Sequence, residues 1–411
     1  MKLSTRLFAA AFVVAFAASA AAQTPAPQPV PAPQPAAPQP ATPAPAATPP
    51  SVAGKAHILM DHASGQVLAG DNIHEGLQPA SITKVMTAYV VASELAAGRI
   101  SLDDEVFISE TAWRQGGAGT DGSFSALAVN SRVRLEDVLY GLMVQSGNDA
   151  SIALAEHIAG SEEAFVDLMN RTASELGMRN SHFRNSHGLT AEGQMMSAWD
   201  IATLARAMVT NFPDQYAIYS TKEYTYNEIK QYNRNGLLWR DESVDGIKTG
   251  YTAAAGYCLA ASAKRGDQRL ISVVLGIEAS RNEGFRLREE GNQTLLNWGF
   301  RSFETHSLYD ANTAVAEHRV FKGEAAEVEL GLAQPLLVTV PRGRYDDVRA
   351  EMDVPSQLVA PITQGQAIGT LRLSLDGELL AERDLVALAE VPQGGFFKRL
   401  TDDFWLWWDS D

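Results

Sequence analysis

The sequence of 411 residues contains a single cysteine, Cys258, which excludes an internal disulfide. It is also poor in basic residues: 33 Lys and Arg stand against 49 Asp and Glu, so the formal net charge is −16. A nucleic-acid-binding protein needs a basic stripe for phosphates, and this sequence has none. The eight histidines show no zinc-ligand spacing. We therefore expect no metal, no other cofactor and no nucleic-acid partner.

Long apolar runs are also missing from the N-terminus. The run at residues 7–17 is too short to cross about 30 Å of hydrocarbon. Lys2 and Arg6 precede it, and small residues ending at Ala22 follow it. This arrangement predicts a secretory signal peptide over residues 1–22. An exported protein without disulfides fits the periplasm of a bacterial cell envelope.

Proline is concentrated in one segment: residues 24–50 hold twelve of the 19 prolines. Such a segment buries little, so residues 23–50 predict a semi-extended linker. The rest of the chain is long enough for two folded domains. Strands at both ends with helices between them predict an α/β domain over residues 51–303. Short strand-like runs broken by Gly and Pro predict a small all-β domain over residues 304–392.

Several elements of the first domain can be placed from the pattern. Two strands are predicted around the turn Ala63-Ser64-Gly65, and three antiparallel strands between residues 244 and 278. Helices are predicted from Ser81 to about Ala97, through residues 135–175 and 197–210, and over residues 284–298, ending in Asn297-Trp298-Gly299. In the second domain Asp376-Gly377 predicts a hairpin turn.

The last segment, residues 393–411, has the pattern of an amphipathic helix. A buried terminal helix and a helix lying in a membrane interface are both open, and the density of aromatic residues favours the membrane. The polar face carries acidic residues, so we expect weak attraction to anionic headgroups. The apolar face holds Phe396, Phe397, Leu400, Phe404, Trp407 and Trp408, and the polar face holds Lys398, Arg399, Asp402, Asp403 and Asp409.

Ser81 and Lys84 lie three residues apart in the stretch PASITKVMTAYV, which places them on one face of a helix. The simplest interpretation is a helix-capping serine followed by a lysine that reaches water. A second interpretation is a nucleophile with its base. A serine needs a base to take its proton, and a lysine can serve once burial favours its neutral form.

Two further motifs occur in "SGNDASIALAEHIAG" and "DGIKTGYTAAAGYCLA". The first places Ser146 and Asn148 in a turn between two helices. The second places Lys248, Thr249 and Gly250 on a strand, where glycine lets a ligand backbone approach closely. Either motif alone is typical of an ordinary turn or strand edge. Together with Ser81 and Lys84, in this order, they form the serine-x-x-lysine, Ser-x-Asn and Lys-Thr-Gly set.

From about residue 52 to its C-terminus the sequence resembles the low-molecular-mass penicillin-binding proteins, the serine-type D-alanyl-D-alanine carboxypeptidases. The stretches NSHGLTAEGQMMSAWDIATLARAM and PRGRYDD also match. The resemblance implies a transpeptidase-like domain with a five-stranded antiparallel sheet flanked by helices, followed by a small β-sandwich. It also implies a terminal helix that attaches the protein peripherally to the outer face of the inner membrane.

The resemblance further implies a role for each site residue. Ser81 is the expected acylated nucleophile and Lys84 its base, while Ser146 relays a proton. The other residues bind substrate. The partners implied are peptidoglycan stem peptides ending in D-Ala-D-Ala, and β-lactam antibiotics as covalent inhibitors. The substrate-binding set is Asn148 for the amide, Lys248, Thr249 and Gly250 for the carboxylate end, the main-chain N–H groups of Ser81 and Tyr251 for the oxyanion, and Arg288 for the carboxylate.

Related sequences often carry histidine after Lys-Thr-Gly, where this chain has Tyr251. The resemblance therefore implies a role for the main-chain N–H of Tyr251 and none for its side chain. A β-lactamase is one alternative, since Glu223 and Asn227 have the Glu-x-x-x-Asn spacing of its deacylating base. However, their segment alternates like a strand. A wall-binding protein without catalysis is a second alternative, which the intact motifs disfavour. An endopeptidase that uses the same chemistry stays open.

Overall fold

The computed structural model describes residues 48–120 and 122–408. The predicted signal peptide and residues 23–47 of the predicted linker lie outside the described residues, as do residues 409–411 of the predicted terminal helix. No helix within the described ranges is both long and apolar enough to pass through a bilayer.

Within the described residues the first domain has a five-stranded antiparallel sheet in the order β2-β1-β9-β8-β7. β1 and β9 come from opposite ends of the domain, and all six residues of β1 pair with residues 270–275 of β9. β7 is an edge strand of this sheet. The strands of the domain are β1 (Ala56–Asp61), β2 (Val67–Asp71), β3 (Glu105–Phe107), β4 (Arg132–Arg134), β5 (Glu223–Tyr226), β6 (Ile229–Tyr232), β7 (Val244–Thr252), β8 (Gly256–Arg265) and β9 (Gln268–Ile277).

The helices cover both faces of the sheet, and α1 is enclosed by the others. Residues 84–92 of α1 are all buried, which explains why its apolar residues run around the whole helix. A 3-10 turn, Ala80–Thr83, leads into α1, and a π-helical segment, Gly141–Gln145, follows α3. The helices are α1 (Lys84–Ala96), α2 (Glu110–Gly116), α3 (Leu135–Tyr140), α4 (Asn148–Ala159), α5 (Glu162–Glu175), α6 (Ala198–Asn211), α7 (Pro213–Tyr216), α8 (Leu237–Arg240) and α9 (Arg281–Ser302).

The prediction for the last helix of the domain was wrong at both ends, because α9 runs from Arg281 to Ser302. Gly299 is part of the helix and does not end it. A Cβ atom there would lie 2.7 Å from side-chain atoms of Leu59 and Leu270. Glycine therefore lets the helix pack closely against the sheet, and Trp298 is buried in the same contact.

The second domain is all-β, as predicted. In the described part of the chain its strands form a six-stranded sheet, and β10 pairs with β13 in a separate ribbon. Side chains of β13 and β16 meet in one core, so the ribbon packs on the larger sheet. Asp376 and Gly377, both at positive φ, form the predicted hairpin turn. The strands are β10 (Phe303–Tyr309), β11 (Ala314–Phe321), β12 (Glu327–Gly331), β13 (Leu336–Pro341), β14 (Arg349–Asp353), β15 (Leu358–Val359), β16 (Ala367–Leu375) and β17 (Glu378–Ala387).

A polar contact around Asp61 joins the two domains. The fully buried Asp61 carboxylate accepts hydrogen bonds from the Ser64 main chain at 2.9 Å and from the Thr305 hydroxyl at 2.7 Å. The main-chain N–H of Thr339 donates to the Gln66 side chain at 2.5 Å. Because these groups are buried and paired, we expect them to fix the second domain against β1 and its turn.

The terminal helix, α10 (Phe396–Trp408), begins three residues later than predicted. Val391 and Gln393 still pair with the second domain, through bridges to Ile362 and Gly323. The chain therefore continues as part of that domain until the helix starts.

Candidate active site

Ser81 lies in the 3-10 turn that leads into α1, and β7 passes directly beside this turn. The close approach depends on Gly250. A Cβ atom at that position would lie 2.8 Å from the carbonyl oxygen of Pro79 and 3.3 Å from the main-chain nitrogen of Ser81. Glycine thus brings the Lys-Thr-Gly strand against the serine turn.

The Lys84 side chain is fully buried in the first turn of α1. Its Nζ lies 3.2 Å from the Ser81 Oγ, 2.7 Å from the Asn148 Oδ1 and 2.7 Å from the main-chain oxygen of His187. Burial lowers the pKa of Lys84 to about 7, although the charge of Asp149 opposes this shift. A large part of the lysine population is therefore uncharged at neutral pH.

The partners of Lys84 also orient its lone pair. The Asn148 Oδ1 and the His187 carbonyl oxygen can only accept hydrogen bonds, so each takes one N–H of the amine. An uncharged amine has two such hydrogens and one lone pair. The remaining partner is the Ser81 hydroxyl, which then donates to the lone pair. The geometry is that of a base aimed at a serine proton.

Ser146 ends the π-helical segment in a left-handed conformation, with φ of 66°. The extended Gly147 follows, and Asn148 begins α4. Ser146 and Asn148 are both buried. Within the described ranges no hydrogen bond joins the Ser146 hydroxyl to Lys84 or Lys248. The turn therefore gives Lys84 an amide acceptor and leaves the Ser146 hydroxyl available to a ligand.

Lys248 lies on β7 with its side chain almost completely buried, and the Thr249 side chain is buried beside it. Burial lowers the pKa of Lys248 well below its usual range, and the charges of Lys84, Arg234 and Arg288 add to the shift. Its Nζ has one long hydrogen bond, 3.4 Å, to the Thr249 carbonyl oxygen. Among residues 48–120 and 122–408 no carboxylate is paired with Lys248, and an anionic ligand would supply acceptors and negative charge to this amine.

Tyr251 follows Gly250 on β7, and its side chain is 53% exposed. Its ring stacks on Tyr257 across the strand pair, with centroids 4.3 Å apart. The stacking fixes an aromatic surface beside the Lys-Thr-Gly strand.

Arg288 is buried on α9 and donates one hydrogen bond, 3.1 Å, to the carbonyl oxygen of Arg234. Its guanidinium carbon lies 4.7 Å from the centre of the Phe285 ring. Burial lowers the pKa of Arg288 to about 10. The charge of Arg288 also lowers the pKa of Lys248.

Arg234 is a site residue that the sequence analysis missed. Its charge lowers the pKa of Lys84 and of Lys248, and its main-chain oxygen accepts a hydrogen bond from Arg288. Burial in turn lowers the pKa of Arg234, and Arg281 adds to the effect. No local motif marks it, because it reaches the cleft from the loop between β6 and α8.

Asp149 and the loop before β4 were also missed. The buried Asp149 carboxylate accepts hydrogen bonds from the main-chain N–H of Ser125 at 2.8 Å and of Leu127 at 3.3 Å. The main-chain N–H of Asn148 donates to the Ser123 carbonyl oxygen at 2.7 Å. Asn148 and Asp149 follow a helix break, and their side chains are hydrogen-bond acceptors. This pattern could have predicted that another segment, here residues 123–127, packs on the turn.

Glu223 lies on β5, an exposed hairpin strand, and its carboxylate pairs with Lys230 at 2.8 Å. The segment is a strand, as predicted, and does not carry this carboxylate to Ser81 as a buried base. In the part of the chain that the structure describes, no cluster of three or more His, Cys, Asp or Glu residues could hold a metal ion.

Comparisons with known proteins agree with this geometry. A family model described as D-alanyl-D-alanine carboxypeptidase matches residues 43–279, and one described as penicillin-binding protein 5, C-terminal domain, matches residues 303–393. D-alanyl-D-alanine carboxypeptidase DacC of Escherichia coli is 45% identical over 356 residues, which cover 86% of this chain and 88% of that protein. DacF of Bacillus subtilis is 38% identical, over 83% and 87% of the two chains.

Among solved structures, penicillin-binding protein 5 from Haemophilus influenzae is similar, with a TM-score of 0.80 at 40% identity. The match covers 84% of this chain and 99% of the other. Both domains are therefore included in the structural likeness.

Proposed function

The chain belongs to the D-alanyl-D-alanine carboxypeptidase family, and from this premise we propose how its cleft performs the reaction of that family. The protein is a serine-type D-Ala-D-Ala carboxypeptidase and a penicillin-binding protein. It removes the terminal D-alanine from peptidoglycan stem pentapeptides through an acyl-enzyme. The assignment of roles depends on one observation. The buried Lys84 amine, whose pKa is lowered to about 7, lies 3.2 Å from the Ser81 hydroxyl.

In the first step, we propose, the lone pair of Lys84 takes the Ser81 proton as Oγ attacks the penultimate D-alanine carbonyl carbon. The C–O bond forms while the carbonyl π electrons move to oxygen. The main-chain N–H groups of Ser81 and Tyr251 receive this oxyanion, supported by the close approach of β7 to the serine turn.

The leaving D-alanine is held by its carboxylate, for which Lys248, Thr249 and Arg288 provide positive charge and a hydroxyl donor. The Asn148 amide binds the stem peptide. The lysine proton passes through the Ser146 hydroxyl to the leaving amine nitrogen as the C–N bond breaks. Hydrolysis repeats the sequence with water as the nucleophile, and the proton returns to Ser81.

We also propose how the chain is arranged in the cell. Residues 1–22 direct export, residues 23–50 form a linker, and residues 51–303 form the catalytic domain. Residues 304–392 form the β-sandwich, and residues 393–411 attach the protein to the outer face of the inner membrane. Support for attachment comes from α10, whose Phe396, Phe397 and Leu400 side chains are 66%, 81% and 58% exposed.

The nucleophile is tested by Ser81→Ala. We expect the variant to lose both D-alanine release from a muropeptide pentapeptide and labelling by a fluorescent penicillin. Ser93→Ala, the same substitution in α1 away from the cleft, should keep both activities. Release at the wild-type rate from Ser81→Ala would contradict the serine mechanism, and rapid loss of the penicillin label from the wild type would favour a β-lactamase.

A further inference from the structure

Helix α10 turns Asp402 toward the protein and exposes the apolar side chains of Phe396, Phe397, Leu400 and Phe404. Asp402 is 3% exposed, whereas Phe397 on the same helix is 81% exposed. A surface helix of a soluble protein has the opposite arrangement, with its apolar face on the core. The second domain therefore contacts the charged side of this helix.

The buried Asp402 carboxylate is fully engaged in that contact. It accepts a hydrogen bond from the main-chain N–H of Lys322 at 2.5 Å and from the Lys398 Nζ at 2.7 Å. Lys322 follows β11 with φ of 61°, which removes its N–H from the strand ladder. The Lys322 ammonium also pairs with Asp403. A carboxylate buried in this way is held by two charge-assisted bonds.

The segment that enters the helix is fixed to the same turn. The main-chain N–H of Gly394 donates to the Lys322 carbonyl oxygen at 2.8 Å, and Gln393 pairs with Gly323. A Cβ atom on Gly394 would lie 2.8 Å from the Gly323 carbonyl oxygen. The helix is thus attached both at its entry and at Asp402, one and a half turns into it.

We propose that Asp402 is a clamp that fixes α10 to the second domain and gives the membrane-bound enzyme one orientation relative to the bilayer. This inference rests on the proposed membrane attachment. A helix on a flexible tail would let the catalytic domain turn freely. The Asp402 clamp uses the turn after β11, and the Asp61 contact uses β10 and β13, so the second domain is fixed both to α10 and to the first domain.

The clamp also explains how an acidic helix can lie on a membrane. Asp402 is neutralised by Lys398, and Asp403 by Lys322, so neither charge faces lipid alone. Attachment then depends on burial of the phenylalanine and leucine side chains. Binding to vesicles should therefore change little between neutral and anionic lipids.

The test uses the full mature chain and its Asp402→Asn variant, with Asp403→Asn as a matched control. Both remove one carboxylate from the same helix, but the Asp403 side chain is 56% exposed. In solution, hydrogen exchange of the α10 amides should become at least about ten times faster in Asp402→Asn and change less than about threefold in the control. Gly394→Ala, which leaves the charge unchanged, should also accelerate exchange.

The functional arm compares two substrates. With phosphatidylcholine vesicles carrying a lipid-attached stem pentapeptide, Asp402→Asn should bind like the wild type but release D-alanine several times more slowly. Release from a soluble pentapeptide should be unchanged. Wild-type exchange rates in both Asp402→Asn and Gly394→Ala would overturn the clamp, and unchanged release from vesicles would overturn its orienting role. Failure of the wild type to bind vesicles would contradict membrane attachment, while the exchange experiment would still decide the clamp.

Discussion

The catalytic cleft and helix α10 use lysine in opposite ways. Lys84 is fully buried, and its hydrogen-bond partners are a hydroxyl, an amide oxygen and a carbonyl oxygen. Lys398 is partly exposed and is paired with the carboxylate of Asp402 four residues later. Burial in the first environment disfavours the charge of the amine, whereas in the second the amine forms an ion pair with a carboxylate. A buried lysine without a carboxylate partner can take part in proton transfer, whereas a lysine paired with a carboxylate stabilises the fold.

The difference has a consequence for stability. A lysine pKa near 7 instead of 10.5 corresponds to about 5 kcal/mol against charging Lys84 in the folded protein. Between about pH 7 and pH 10.5 the unfolded chain binds the proton that the folded one has released, so stability should rise with pH through this window. Below about pH 7 Lys84 is charged in the folded protein, and the full cost of burying that charge lowers the free energy of unfolding. The cleft is therefore a destabilising region of an otherwise well-packed domain.

The largest expected effect comes from removing the unpaired amine. Lys84→Met should reduce D-alanine release by at least about a thousandfold, because the serine loses the base that we propose for it. Its free energy of unfolding at pH 7 should be equal to or higher than that of the wild type, since a buried amine is replaced by an apolar side chain of similar length.

Lys398→Met is the control in α10, and it should leave release from a soluble pentapeptide within about twofold of the wild type. Enzyme assays and denaturant unfolding of both variants test the comparison. A Lys84→Met variant that keeps its activity, or loses several kcal/mol of stability, would remove the distinction between the two lysines.

A core substitution in the second domain should have the reverse effect: it should lower stability and leave activity nearly unchanged. Leu373 lies on β16 and is fully buried in the core that this strand shares with β13. Leu373→Ala should therefore lower the free energy of unfolding by about 2–5 kcal/mol. Release from a soluble pentapeptide at a temperature where the variant stays folded should remain within about twofold. A parallel loss of turnover under those conditions would show that the second domain contributes to the chemistry itself.

A smaller effect is expected at Arg234, whose charge lowers the pKa of Lys84. Arg234→Gln should raise that pKa and move the acidic limb of the kcat/KM profile to higher pH, so that activity falls more at pH 6 than at pH 8. Arg301→Gln, an exposed arginine at the end of α9, should leave the profile unchanged. A shift to lower pH in Arg234→Gln would contradict the proposed electrostatics.

The sequence predicted well what depends on local pattern. The strands β1 and β9, the helix after Ser81 and the Asp376-Gly377 turn follow from periodicity and turn chemistry, whereas the pairing of β1 with β9 was not predicted. The three catalytic motifs could be ordered along the chain, and the structure brings them to one cleft. Gly250 was predicted on a strand as a place where a ligand backbone can approach; its contact with the serine turn was not predicted.

What could not be predicted depends on contacts between distant segments. The His187 carbonyl oxygen has no side-chain signature, yet it is one of two acceptors that orient Lys84. Gly299 looked like a helix end because its packing partners, Leu59 and Leu270, are remote in the chain. In the same way, Asp402 looked like one of several surface acids until the turn at Lys322 showed what it binds.

The most direct test of the account is an NMR titration of the Lys84 side chain in protein labelled with carbon-13 at the lysine ε position, with Lys84→Met identifying the resonance. Burial lowers the pKa of Lys84 to about 7, so we expect its transition near pH 7. A Lys84 transition above pH 10 would contradict the assignment of this amine as the base for Ser81.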